Sequence, residues 1–107
     1  MPYYLVQVAY TPEAWGKMVK NPQNRIEAVR PAVEKLGGKL QSGWLAFGKY
    51  DVVVILEMPD NVSAAGIAMA FAAGGAVKTV ATTVLMTPEE GMRAMKKAAE
   101  AAYRPPA

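Results

Sequence analysis

The chain contains neither cysteine nor histidine. Without cysteine there is no disulfide framework and no thiolate nucleophile or thiolate metal ligand. Without histidine the commonest general base and the commonest transition-metal ligand are gone. Charge of one sign is also scarce: 12 Lys and Arg against 9 Asp and Glu leave a net +3 over 107 residues. Those charges are dispersed, so there is no basic stripe of the kind that tracks a nucleic-acid backbone. The longest apolar run, residues 64–76, is interrupted by glycines. It falls short of the roughly 20 residues a bilayer-crossing helix requires. The opening Met1-Pro2-Tyr3-Tyr4 has no basic region and no apolar stretch, so it does not read as a signal peptide. Neither a nucleic-acid nor a membrane partner is expected, and a cytoplasmic location fits.

What is present is apolar residues, 52% of the chain, much of them Ala, Val and Met. The length allows one domain, spanning 1–107, with one core. A core that small cannot hide so much apolar surface, so part of it is expected to meet another subunit.

Residues 3–10 (YYLVQVAY) form an aromatic, β-branched strand. Thr11-Pro12-Glu13 supplies a cap hydroxyl, a Pro suited to the first helical position and an acid in the first turn. That helix should break near Asn21-Pro22. A second helical piece carries Ile26, Val29, Val33 and Leu36 on one face. Pro31 lies inside it and predicts either a kink at Arg30-Pro31 or a regular part starting there, while Gly37-Gly38 ends it.

Strands are expected over 39–47 and 51–58, joined by the Gly48-Lys49-Tyr50-Asp51 turn as an antiparallel hairpin. The DVVVILEM run suggests burial on both faces. A helix over about 62–73 ends at Gly74-Gly75, and a strand follows over 76–86. Thr87-Pro88-Glu89-Glu90 completes a capping box and opens a last helix carrying Met92 and Met95 on one side. The order βαββαβ plus a C-terminal helix predicts an α+β fold of ferredoxin-like topology, an antiparallel sheet with helices on one face. In the first strand Tyr4, Val6, Val8 and Tyr10 point one way and Tyr3, Leu5 and Ala9 the other. The helices cover one face only, so the other should meet a second sheet.

Gly48-Lys49-Tyr50-Asp51 resembles the Gly-x-Tyr-Asp signature of the GYD domain family. The likeness extends to Tyr3-Tyr4-Leu5-Val6, to residues 34–40 (EKLGGKL), to Gly43-Trp44, to residues 74–78 (GGAVK) and to residues 82–90 (TTVLMTPEE). It implies the ferredoxin-like fold of the dimeric α/β-barrel proteins, whose sheets pair face to face. The family's biochemical role is essentially unassigned. Related barrels include monooxygenases, lactone isomerases and haem-handling enzymes, but none of their catalytic residues can be matched here. Lys49 and the Ala-rich stretch 64–73 depart from the expected pattern. They leave two origins open, natural variation and an engineered surface built for assembly.

Tyr50-Asp51 is the leading chemical candidate, with a phenol as donor and a carboxylate as base. The structural alternative has Asp51 capping hairpin N–H groups and Tyr50 packing over the turn. Tyr4, Tyr10 and Trp44 suit the wall of an apolar ligand cavity or an interface core. Arg30 and Lys78 together could hold an anion; the alternative is an ion pair with Glu34 or Asp51, or a snorkelling surface position. The glycine pairs end helices rather than opening them, so they form no phosphate loop. No metal constellation is present, and no cofactor is expected. The leading expectation is a homo-oligomer, as dimer, trimer or higher ring, serving as a structural or assembly module. A second protein subunit, natural or designed, is the other partner. The alternatives are a small-molecule-binding protein or a cofactor-independent enzyme with a cavity near Tyr50 and Asp51.

Overall fold

A computed structural model describes residues 1–107. The elements are β1 (Tyr3–Tyr10), α1 (Pro12–Lys20), α2 (Arg25–Lys35), β2 (Lys39–Leu45), β3 (Val52–Glu57), α3 (Asn61–Ala73), β4 (Val77–Leu85) and α4 (Pro88–Glu100). One antiparallel sheet runs in the order β2-β3-β1-β4. This is the ferredoxin-like arrangement, with two crossover connections on one side of the sheet.

Local chemistry sets the helix boundaries. Thr11, Asn24, Asp60 and Thr87 each accept a backbone N–H with the side chain at a helix start. Thr87 and Glu90 satisfy each other's backbone N–H groups, which is the expected capping box. Gly37, at φ +85°, closes α2: its N–H donates to the Glu34 carbonyl and that of Gly38 to the Val33 carbonyl. This is a Schellman closure, and the left-handed backbone is why glycine stands at position 37.

Three expectations need correction. Pro31 does not start the regular helix but lies inside α2, which begins at Arg25. The N–H it lacks would have met the Glu27 carbonyl, and both residues are exposed, so water can take that acceptor. The second strand ends at Leu45 rather than Phe47. Its last cross-strand partner is Val52, and beyond that pair Ala46 donates its N–H to the Asp51 carbonyl while Phe47 stands fully in solvent. In β3 only alternate residues are buried: Val52, Val54 and Leu56 lie beneath the helices, and Val53 and Ile55 are half-buried.

The core lies between the sheet and α2 and α3. Tyr4, Val6, Val8, Val52, Val54 and Leu56 meet Val33, Ala64 and Ile67 there. The Tyr4 hydroxyl donates to Asn61 Oδ1 at 2.5 Å, so the one phenol within this core is satisfied. Gly43 sits under α2, where a Cβ would stand 2.5 Å from Ile26.

The opposite sheet face has no cover within the chain. Across it run the rows Ser42, Ile55, Leu5 and Thr83, then Trp44, Val53, Gln7 and Ala81. The C-terminal α4 has no buried residue and makes no extensive contact with another element. Only 14 of 107 residues are buried, which leaves most of the apolar inventory in or near solvent. The radius of gyration is 17.0 Å, against about 13 Å for a compact chain of this length. No helix is long and apolar enough to cross a membrane.

Candidate functional site

The concave surface gathers where β1 ends. The sheet register shifts between Ala9 and Tyr10, and the Tyr10 N–H turns to the Asp51 carboxylate at 2.8 Å. The same carboxylate oxygen accepts the Trp15 indole N–H at 3.3 Å. The Trp15 ring meets the Tyr10 ring edge-on, with centroids 5.6 Å apart and planes at 83°. Asp51 thus joins the hairpin, the end of β1 and the first turns of α1.

Two apolar concavities open on this junction. A groove of about 660 Å³ lies between α1 and the start of α2, walled by Trp15, Met18, Val19, Ile26 and Leu45. A smaller cavity of about 190 Å³ lies between α2, α3 and the sheet, walled by Val29, Val52, Val54, Phe71 and Val77. Tyr10 and Arg25 line both, and they also line a third depression of about 300 Å³ towards Gly74 and Gly75.

Electrostatics at the junction follow from these positions. Burial pushes the Tyr10 phenol above its ordinary pKa, the Arg25 guanidinium opposes that rise, and the Asp51 charge adds to it. The phenol is therefore protonated at neutral pH and available as a donor. Arg25 has no carboxylate within ion-pair distance; it donates to Gln23 at 3.3 Å and faces the Tyr10 phenol oxygen. A protonated phenol beside an unpaired guanidinium can hold an oxyanion. Asp51 spends its Oδ2 on two N–H donors and serves here as a structural acceptor. No three acidic side chains converge as a metal site.

The six side chains singled out from the sequence are dispersed. Tyr10 and Asp51 come together at the junction. Tyr50 adjoins Asp51 in the chain but does not line the two apolar cavities, and Lys49 Nζ stands 5.8 Å from its ring centroid. Trp44 lies on the open sheet face, 67% exposed. Lys78 is exposed on β4. Arg30 pairs with Glu27 at 2.8 Å, not with Glu34 or Asp51, and lines a separate polar depression near Gln41. Arg30 and Lys78 do not face a common cavity.

Sequence reasoning passed over Arg25 and Trp15. Asn24 followed three residues later by Glu27 is a helix-start pattern, and reading it places Arg25 in the first turn of α2. Trp15 lies one turn after the Thr11 cap, on the side that returns to β1.

A family model of the GYD domain matches residues 4–95, from β1 through most of α4. The chain belongs to the GYD domain family. No curated protein matches it. The Gly48–Asp51 segment that suggested this GYD domain is the connection whose Asp51 fastens to β1 and α1. Of the site described above, the matched span includes Tyr10, Trp15, Arg25 and Asp51.

Proposed function

We propose that this GYD domain is a homo-oligomeric assembly module in which two copies close their open sheet faces on each other. The observation that carries the reading is the face itself. Leu5, Val53, Ile55, Ala81 and Leu85 stand half-buried on it, with Trp44 exposed at its rim and nothing in the chain above them. An antiparallel sheet can leave one face in water, but apolar residues gathered on that face gain stability from a second layer laid over them.

The size of the exposed surface agrees. The chain exposes 7572 Å², roughly 1,800 Å² more than a compact monomer of its mass. A surplus of that order matches one protomer's share of a large, obligate interface. The C-terminal α4 contributes to it with Met92 58% and Met95 72% exposed on a helix that makes no extensive contact within its own chain. Face-to-face pairing of twisted sheets places layers about 10 Å apart, close enough for these side chains to interdigitate.

The test is a charge placed in the middle of the face. Ile55→Asp lies away from the helix-side core and should leave the fold intact by circular dichroism. It should lower the sedimentation coefficient to that of a single chain. A folded Ile55→Asp variant that sediments like the wild-type oligomer would remove the proposal.

A further inference from the structure

We propose that the junction of Tyr10 and Arg25 binds a small monocarboxylic acid, with its ring-sized apolar body in the cavity between α2, α3 and the sheet and its carboxylate at the mouth. The cavity stands on the helix side of the sheet, so sheet-to-sheet association neither fills nor completes it. The inference is independent of the assembly reading.

Size comes first. The cavity holds about 190 Å³ and is walled by Val29, Val52, Val54, Phe71 and Val77. An apolar cavity of about 150 Å³ stays dry and takes a benzene ring. This cavity opens at its mouth to water, so an apolar occupant would displace water from its walls and gain packing contacts with them.

Charge then selects the head group. Arg25 reaches the mouth with no acidic partner and an exposed side chain. The other titratable groups around the mouth are Tyr10 and, in the adjoining depression, Glu13 and Lys17 of α1, whose charges are opposite in sign. Asp51 is held by the Tyr10 and Trp15 N–H groups. Asp51 keeps its negative charge but does not line the cavity, and the guanidinium is the one full charge that does. Together with one protonated phenol it offers a bidentate fork and a single O–H. That donor set suits a planar carboxylate, whereas a phosphate would call for more donors than the mouth provides.

The test uses the full chain and 3-phenylpropionate, an aryl monocarboxylate whose ring is of the size the cavity volume admits. Amide chemical shifts followed during titration should saturate and centre on Tyr10, Arg25, Phe71 and Val77. The neutral analogue 3-phenylpropanamide should bind about tenfold more weakly, and Arg25→Gln should weaken the acid by a similar factor. Arg25 is exposed, so this variant should fold, and the acid–amide comparison on the wild type decides the matter without it. Absence of saturation at millimolar acid, equal affinity for acid and amide, or shifts centred on the open sheet face would overturn the proposal.

Discussion

The carboxylate of Asp51 accepts the backbone N–H of Tyr10 at 2.8 Å across 41 positions of chain. At that point β1 slips register, and Tyr10 would otherwise leave its N–H outside the ladder. The Asp51 backbone joins the same clasp, its N–H donating to the Val8 carbonyl at 2.8 Å and its carbonyl accepting from Ala46 at 2.9 Å. One residue thus closes the β2–β3 connection and seats it on the central strand.

Removing that acceptor should destabilise the fold. Asp51→Ala leaves the part-buried Tyr10 N–H without its partner and should lower the unfolding free energy by about 1–3 kcal/mol. Asp51→Asn keeps one acceptor oxygen and should cost less. Tyr50→Phe, which touches none of these bonds, should stay within about 0.5 kcal/mol of wild type. Urea unfolding would read all three as midpoint shifts at constant slope. Equal losses for Asp51→Ala and Tyr50→Phe would contradict the assignment.

Two glycines should respond in opposite directions to alanine. At Gly38 a Cβ would press on Met58 Sδ and stand 2.6 Å from the Glu57 carbonyl oxygen, so backbone must move. Gly38→Ala should cost about 1–3 kcal/mol. At Gly16, inside the exposed face of α1, a Cβ meets nothing. Gly16→Ala should stabilise by roughly 0.5–1 kcal/mol through helix propensity alone. Thermal melts of the two variants, scanned beside wild type, would show the divergence.

Acid should loosen α4 before the rest of the chain. The Glu90 carboxylate is held below its usual pKa by the Thr87 backbone and side-chain hydrogen bonds. A depressed carboxylate contributes stability that is present above the unfolded-state pKa and lost as pH falls through the folded value. The capping box should therefore weaken from about pH 4.5 downwards. Glu90→Gln should remove that pH dependence, because the titrating carboxylate is gone while the amide oxygen can still accept the Thr87 N–H. Amide exchange within residues 88–95, followed from neutral pH to pH 3, is the readout. Uniform protection across that range would contradict it.

The fold was legible because its signals are local. Thr11-Pro12, Asp60 and the Thr87–Glu90 box start helices with side chains three residues from the groups they satisfy. Gly37 ends one through a backbone conformation that other residues avoid. Alternation in β1 and β3 separated a helix-covered face from an open one, and the register confirms that division. Pro31 was misread because the helix penalty assumes a carbonyl with no other partner, and the Glu27 carbonyl lies at an exposed surface. The candidate site was only partly legible. Asp51 and Tyr10 meet through a pairing of distant segments, and Arg25 reaches the same place only because α2 packs back over the sheet. Arg30 was set against distant acids when Glu27, three residues earlier on the same helix, takes it at 2.8 Å.

Static light scattering over a dilution series decides whether the open sheet face pairs copies of this chain. With the faces paired, the mass is a whole multiple of the 11.5 kDa chain, at least twice it, and constant down to micromolar concentration. A mass of 11.5 kDa at every concentration, from a chain folded by circular dichroism, would contradict that pairing.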